Sequence, residues 1–202
     1  MLDGVIRKRI DPVLDRLGRS LADLGVTANA VTLAAFALGI AAAVLIAGGA
    51  PLTGLVLLLA SRLGDGLDGA VAKATRPTDF GGFLDIVLDF AFYGAIPLGF
   101  VVADPAANGI AGATLLLSFY INGASFLAYA VMAEKHGLSS DSRGTKSLYF
   151  TTGLAEATET ILVFAAACLW PAGFAWLAYG FAGVCFYTAF ARIMLARASF
   201  RS

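Results

Sequence analysis

Apolar residues dominate long stretches of this 202-residue chain, and most charged residues lie in the connections between them and in the terminal stretches. Each stretch approaches or exceeds the ~20 residues that a helix needs to cross ~30 Å of hydrocarbon. Continuous apolarity without strict alternation favours helices over a barrel. The pattern predicts an all-α polytopic membrane protein, a single membrane domain over 1–202 with a six-helix bundle over 31–196. The six predicted transmembrane segments are 31–48, 52–72, 81–103, 109–133, 148–170 and 174–196.

Residues 1–25 are predicted to form an amphipathic juxtamembrane helix. Apolar residues recur at helical spacing there, with charged residues between them. The pair Asp11-Pro12 matches an N-cap followed by proline at the first helical position, which predicts that a helix restarts there. Such a helix would lie on the cytoplasmic leaflet with its basic face toward anionic headgroups, or it would pack against the ends of the bundle.

The composition supports a membrane protein and argues against a nucleic-acid-binding protein. The chain is 59% hydrophobic and 14% charged, with a mean hydropathy of +0.81. Fourteen basic and fourteen acidic residues cancel, whereas a nucleic-acid-binding surface needs a basic excess. Both cysteines, Cys168 and Cys185, lie inside apolar runs, where we expect them to act as small buried hydrophobic residues.

The basic residues predict which side of the membrane holds the termini. The turns after the first, third and fifth segments contain no Lys or Arg, whereas the other connections and both terminal stretches are basic. By the positive-inside rule, both termini and the basic connections are predicted to be cytoplasmic. The basic residues on that side are Arg7, Lys8, Arg9, Arg16, Arg19, Lys73, Arg76, Lys135, Arg143, Lys146, Arg197 and Arg201.

Four aspartates on the second and third segments form the main candidate for chemistry. Asp65 and Asp68 are three residues apart and Asp85 and Asp89 four apart, so each pair shares one helix face. An aspartate at the centre of a membrane helix costs ~2.5–3.5 kcal/mol, so four of them need a compensating charge. A structural ion pair such as Arg62 with Asp65 would leave three acids without a partner. One or two divalent cations, which prefer oxygen ligands, would compensate all four.

These residues resemble the motif of the CDP-alcohol phosphotransferases. That motif is D-x-x-D-G-x-x-A-R, a spacer of eight residues, then G-x-x-x-D-x-x-x-D. Eight anchor positions recur in this chain and seven match in identity. The stretch 27–33 is also similar to the first-helix motif of the family. The matching residues are the run Asp65-Gly66-Leu67-Asp68-Gly69-Ala70-Val71-Ala72-Lys73, Gly81, and the run Asp85-Ile86-Val87-Leu88-Asp89.

The resemblance implies metal-dependent transfer of a substituted phosphate, for example phosphatidyl from CDP-diacylglycerol, to an acceptor alcohol with release of CMP. It implies a CDP-linked lipid donor, a small alcohol acceptor, a homodimer and residence in a bacterial inner membrane, with the active site cytoplasmic. It further implies two cations, Mg²⁺ or Mn²⁺, held by Asp65, Asp68, Asp85 and Asp89, with Asp89 as general base. The implied donor-site residues are Gly69, Ala72, Gly81, Asn29 and Thr32.

The chain departs from the family motif at two points. Lys73 stands where the motif has Arg, and the spacer has seven residues instead of eight. Lys cannot form the bidentate contact that Arg forms with a diphosphate, so we expect Arg76 to supply the guanidinium. The same departures leave open a non-catalytic or weakened paralogue that serves as a membrane scaffold. A divalent-cation transporter is a further alternative, but no charged residue continues the acidic cluster through the outer halves of the segments.

The acceptor pocket is expected to use charged residues in the second half of the chain. Candidates are Lys146, Glu156, Glu159 and Arg192. Glu156 and Glu159 lie about one helical turn apart inside a predicted segment, so each needs a partner. They would recognise polyol hydroxyls or an amine of the acceptor, or pair with Arg192 or Arg62 across helices.

Overall fold

The computed structural model describes residues 3–137 and 155–200, and every regular element in these ranges is helical. The helices, numbered in chain order, are α1 Asp3–Asp23, α2 Ala28–Ala47, α3 Pro51–Ala74, α4 Asp79–Ala103, α5 Pro105–Lys135, α6 Ala157–Leu169 and α7 Phe174–Ser199, with a 3₁₀ turn at Pro171–Gly173. The predicted all-α membrane fold is confirmed.

Four helices in the described ranges are long and apolar enough to cross a membrane: Ala28–Ala47, Asp79–Ala103, Pro105–Lys135 and Pro171–Ser199. Helix α3 has 24 residues but carries Arg62, Asp65 and Asp68 within its apolar stretch. The described part of α6 has 13 residues. The first part of the predicted segment 148–170 lies outside the described residues, so the number of six spans stays a prediction.

The short turns form where glycine, aspartate and proline predicted them. After α2 the chain turns through Gly48 to Ala50, with Gly49 at φ 81°, a left-handed conformation that glycine adopts without strain. Between α4 and α5 only Asp104 intervenes, and its carboxylate accepts a hydrogen bond from the Ala107 amide at 3.0 Å. This N-cap and Pro105 start α5 immediately, so α4 and α5 form a tight helical hairpin.

The bundle is held together by an aromatic and aliphatic core. Helix α2 packs against α3 and α4, α4 packs against α5, and α5 packs against α7. Phe100 stacks on Phe174 with ring centroids 4.6 Å apart, and Phe92 meets Phe164 edge to face at 6.5 Å. Many large apolar side chains remain exposed outside this core, as expected for surfaces that face lipid. Examples are Val44, Val56, Ile110, Val131 and Trp176.

Helix α1 lies against α3 and also keeps an apolar surface. Gly18 contacts α3 so closely that a Cβ there would lie 2.7 Å from the backbone carbon of Ala70. Val13 and Leu17 of the same helix are exposed. The packing alternative is therefore present, and the position of α1 on the cytoplasmic leaflet stays a prediction. The predicted helix restart at Asp11-Pro12 is wrong, because α1 continues from Asp3 to Asp23 with Pro12 inside it.

Candidate active site

Three of the predicted carboxylates converge between α3 and α4. Asp65, Asp68 and Asp85 each offer an oxygen, and these oxygens lie within 4.8 Å of one another. They meet because a short turn over 75–78 reverses the chain and lays the start of α4 beside the end of α3. Asp68 is only 6% exposed, and its Oδ2 has no hydrogen-bond partner within the described ranges. A buried carboxylate oxygen with no donor fits a divalent cation, whose preferred ligands are such oxygens.

The fourth carboxylate, Asp89, is held by an arginine. Arg62 Nη1 donates to Asp89 Oδ1 at 2.7 Å and lies 3.4 Å from Asp65 Oδ1. The expected alternative of an Arg62–Asp65 pair is therefore present, and it extends to Asp89. The assignments of Asp65, Asp68, Asp85 and Asp89 as metal ligands, and of Asp89 as base, stay predictions.

Arg62 is fixed in place by its surroundings. Its guanidinium carbon lies 3.7 Å from the centre of the Phe92 ring, and Nη2 donates to Ser61 Oγ at 3.3 Å. The side chain is 9% exposed. Sequence reasoning missed the contact with Asp89, which lies 27 residues away. One signal could have revealed this contact. Arg62 lies one helical turn before Asp65 on α3, and Asp89 lies one turn after Asp85 on α4. Because the two helices run antiparallel, Arg62 and Asp89 are displaced in the same direction from the carboxylate cluster and can meet.

A cavity of about 520 Å³ opens beside the carboxylates. Asp68 and Asp85 form part of its wall. Six of the seven expected substrate-binding residues also line it: Asn29, Thr32, Gly69, Ala72, Arg76 and Gly81. The seventh, Lys73, is not among the described lining residues, and its Nζ lies 3.6 Å from Asp15 Oδ1 on α1.

The N-termini of two helices face this cavity. Thr27 caps α2 by accepting a hydrogen bond from the Ala30 amide at 3.3 Å, and Thr78 caps α4 by accepting from the Gly81 amide at 3.0 Å. Helix N-termini carry partial positive charge and bind anions such as phosphate. Together with Arg76 they give the cavity a positively charged side, opposite in charge to the carboxylates. Sequence reasoning included Thr27 only as part of the stretch 27–33 and did not consider Thr78, although a threonine directly before a helix is a known N-cap pattern.

Two glycines in the run 65–73 face different surroundings. A Cβ at Gly66 would lie 2.9 Å from Leu14 Cδ1, the end of a flexible side chain of α1, so Gly66 lies where α3 meets α1. A Cβ at Gly69 would meet nothing within 4 Å, and Gly69 lines the cavity. Gly69 therefore faces open space in the cavity, whereas Gly66 faces helix α1.

A second, much smaller hollow of about 10 Å³ is lined in part by the same carboxylates. This is the scale at which a cavity begins to admit one water-sized particle. It shares Asp85 and Thr32 with the large cavity. Its lining residues are Thr32, Phe36, Arg62, Asp65, Asp85, Leu88 and Asp89.

The expected acceptor residues are only partly placed. Arg192 on α7 is partly buried, and its Nη1 donates to Asn122 Oδ1 at 2.9 Å and to Ser125 Oγ at 2.6 Å on α5. Glu156 is the N-cap residue of α6 and Glu159 lies in its first turn, where acidic side chains complement the helix dipole. Lys146 lies outside the described residues. The role of all four in acceptor binding stays a prediction.

Comparison with known proteins places this site in a family. The sequence model of the family described as CDP-alcohol phosphatidyltransferase matches residues 25–196. The chain is 46% identical to the inner membrane protein YnjF of Escherichia coli over 193 residues, which cover 96% of this chain and 94% of that protein. It is 35% identical to the archaetidylinositol phosphate synthase of Methanothermobacter thermautotrophicus over 166 residues, 82% of this chain and 74% of the relative.

Solved structures share the fold. The crystal structure of Mycobacterium tuberculosis phosphatidylinositol phosphate synthase with CDP-DAG bound superposes with a TM-score of 0.71 at 22% identity, covering 91% of this chain and 92% of that one. The structure of the same enzyme with manganese and citrate gives a TM-score of 0.71 at 23% identity, covering 90% and 87%. The match of the family model over most of the chain, the sequence relatives and the carboxylate cluster beside the cavity lead to one conclusion: this chain belongs to the CDP-alcohol phosphatidyltransferases, which transfer substituted phosphate groups.

Proposed function

We propose that this chain transfers a phosphatidyl group from CDP-diacylglycerol, or a closely related CDP-linked lipid, to an acceptor alcohol and releases CMP. The acceptor oxygen forms a bond to the lipid-bearing phosphorus, and the bond from that phosphorus to CMP breaks. The observation that carries this proposal is the position of Asp68 and Asp85, which belong to the carboxylate cluster and also line the cavity that two helix N-termini face. The carboxylate side of this cavity suits cations, and the side with the helix N-termini suits the anionic diphosphate.

The four carboxylates offer the oxygen ligands that divalent cations prefer, and we propose two such cations, Mg²⁺ or Mn²⁺. Asp65, Asp68 and Asp85 would hold the first, and Asp89 with Asp65 and Asp85 would hold the second. When bound, such cations neutralise the diphosphate and stabilise the departing CMP. Two hard cations would also compensate the four carboxylates that two membrane helices carry.

The protein's own residues bind the donor and move the proton. Arg76 and the amides at the starts of α2 and α4 are placed to hold the diphosphate, while Gly69 leaves space for the nucleotide. Asn29, Thr32, Ala72 and Gly81 form the remaining expected wall of the donor site. Asp89 is proposed to take the proton of the acceptor hydroxyl during attack, and the hydrogen bond from Arg62 fixes the orientation of its carboxylate.

For the acceptor we propose a phosphorylated polyol, with inositol phosphate as the first candidate. The name of the 35% identical archaeal relative supports this choice, and so does Arg192, a partly buried cation on α7. Lys146 is proposed to contribute a second positive charge. Glu156 and Glu159 would then bind the sugar hydroxyls.

We further propose that the chain is a single membrane domain of a bacterial inner membrane, with both termini and the active site cytoplasmic. Lipid-linked donor would enter from the cytoplasmic leaflet and polar acceptor from the cytosol. A homodimer is proposed from the family resemblance. Of the small residues suited to close helix contact, Gly99 and Gly112 already pack within the bundle, against Ala43 and Val101. The outward-facing Ala113 and the uncrowded Gly94 are the ones left for a dimer contact.

The test is an assay of CMP release by the purified chain with CDP-diacylglycerol and Mn²⁺ or Mg²⁺. Acceptors would be inositol phosphate, glycerol 3-phosphate, serine, choline and glycerol. We expect metal-dependent CMP release with inositol phosphate, abolished by Asp68→Asn and retained by Arg197→Gln, which removes an exposed charge at the end of α7. Release with another acceptor alone would correct the acceptor. No release with any acceptor would favour the non-catalytic scaffold.

A further inference from the structure

The four carboxylates form two unequal sites. Asp68 faces the large cavity, whereas Asp89 faces the small hollow of about 10 Å³ together with Arg62. Asp85 belongs to both. A cation held by Asp65, Asp68 and Asp85 would have three carboxylates around it, with Arg62 3.4 Å from one of them. A cation beside Asp89 would meet the same guanidinium at its shortest contact, 2.7 Å from the Asp89 oxygen.

We infer that Arg62 supplies, at Asp89, positive charge with which a second cation has to compete. The chain then binds one divalent cation tightly at Asp65, Asp68 and Asp85, and a second one at Asp89 at least about tenfold more weakly, because like charges repel strongly at a few ångströms in a partly buried site. The inference rests on the proposed metal-dependent function and adds the order in which its cations bind.

The charge on Asp89 is already satisfied by a short contact. Arg62 Nη1 lies 2.7 Å from Asp89 Oδ1 and 3.4 Å from Asp65 Oδ1, so a single nitrogen serves two carboxylates of the hollow. A charge-assisted hydrogen bond of this length is among the stronger ones in proteins. A cation that approaches Asp89 has to displace this bond or to bind beside it, and either route weakens its affinity.

The surrounding residues hold the guanidinium where it is. Its face lies 3.7 Å from the centre of the Phe92 ring, and Ser61 accepts a hydrogen bond at 3.3 Å. Gly39 on α2 makes room for this arrangement, because a Cβ there would lie 2.5 Å from Phe92 Cδ2 and 3.0 Å from Ser61 Oγ. Residues of α2, α3 and α4 thus form a site that fits the planar guanidinium, and a lysine in place of Arg62 would fit it less well.

The experiment is a Mn²⁺ titration of the purified full-length chain, with free Mn²⁺ measured by electron paramagnetic resonance. We expect the wild type to bind one Mn²⁺ tightly and a second at least about tenfold more weakly. Arg62→Gln should bind two, with the second tightened by about tenfold or more. Asp89→Asn should keep the tight ion and lose the weak one. Arg197→Gln, the same substitution at an exposed arginine of α7, should match the wild type.

Two equally tight ions in the wild type, or a weak ion unchanged by Arg62→Gln, would overturn the inference. If Arg62→Gln does not yield a monodisperse protein, the wild-type and Asp89→Asn titrations still test the unequal affinities and the place of the weak site, and two equally tight ions would overturn the inference. CMP release from CDP-diacylglycerol is measured on the same preparations. A wild type that binds Mn²⁺ as expected but releases no CMP contradicts the proposed function and leaves the unequal cation sites standing.

Discussion

Lys73 and Asp15 form an ion pair that joins the end of α3 to helix α1, with 3.6 Å between Nζ and Oδ1. The lysine side chain is 67% exposed and the aspartate 39%. Lys73 occupies the motif position at which the family has Arg, yet its ammonium is engaged with α1 and not with the cavity. The diphosphate contact expected at this position is therefore open to another residue.

Lys73→Arg is expected to be tolerated or activating, because a guanidinium preserves the contact with Asp15 and reaches further. Lys73→Gln should change the free energy of unfolding by no more than about 1 kcal/mol, as is usual for exposed ion pairs. It should leave donor affinity within about twofold. Thermal unfolding in detergent and CDP-diacylglycerol binding would measure both. A large loss of donor affinity in Lys73→Gln would show that Lys73 itself contacts the diphosphate.

Arg76→Ala is expected to weaken binding of the CDP donor. Arg76 lines the cavity that Asp68 and Asp85 also face, and a charge-assisted hydrogen bond contributes about 1.5–3 kcal/mol, so the affinity should fall roughly 10- to 100-fold. Binding of CDP-diacylglycerol at saturating Mn²⁺ would measure this. Lys73→Ala, three residues earlier, is the matched control. Unchanged donor affinity in Arg76→Ala would remove Arg76 from the diphosphate site.

The sequence predicts the helices well because apolar runs, glycine turns and proline starts are local signals. Predicted segment 81–103 corresponds to α4 Asp79–Ala103, and segment 174–196 to α7 Phe174–Ser199. The helix restart at Pro12 fails because one missing amide hydrogen bond is tolerated where α1 packs on α3. The contact between α1 and α3 depends on the tertiary structure, which a local N-cap pattern does not predict.

The candidate site is predicted less completely, because its contacts depend on how the helices meet. Spacing alone pairs Asp65 with Asp68 and Asp85 with Asp89. In the structure Asp85 lies with the first pair, and Asp89 accepts a hydrogen bond from Arg62. That grouping follows from the rotation of α4 against α3, which no local pattern specifies.

Gly99→Ala and Gly94→Ala, both on α4, are expected to differ in stability. A Cβ at position 99 would lie 2.7 Å from the Ala43 carbonyl oxygen, a backbone atom of α2 that cannot move alone. We expect a loss of about 1–3 kcal/mol, as for overpacked cores. A Cβ at Gly94 would meet nothing within 4 Å, so that change should stay within about 0.5 kcal/mol. Thermal unfolding in one detergent compares them. A loss of less than about 0.5 kcal/mol in Gly99→Ala would show that α4 and α2 pack differently.

Both termini are expected on the cytoplasmic side, because the turns 48–51, 103–105 and 170–173 contain no Lys or Arg whereas the opposite connections do. C-terminal fusions to green fluorescent protein and to alkaline phosphatase would measure this in bacteria. We expect fluorescence without phosphatase activity. An active phosphatase without fluorescence would place the C-terminus in the periplasm and would require an odd number of spans if the N-terminus is cytoplasmic.

Asp65→Asn and Asp89→Asn are expected to lose activity for different reasons. Asp65 belongs to the cluster whose oxygens lie within 4.8 Å of one another, so replacing its carboxylate by an amide removes charge from the proposed tight cation site. Metal affinity should fall, and high Mn²⁺ should restore part of the rate. Asp89 lies outside that cluster and accepts a hydrogen bond from Arg62. It is proposed to accept the proton of the acceptor hydroxyl.

An amide cannot take that proton, so added Mn²⁺ should not restore Asp89→Asn. A general base contributes about 10²–10⁴-fold, and the rate should fall by that order even though the donor still binds. CMP release and donor binding, measured for both variants across a Mn²⁺ titration, separate the two roles. Equal rescue of both variants would show that Asp89 acts only as a cation ligand. The base would then have to be another carboxylate, and Glu156, at the start of α6, is the next candidate.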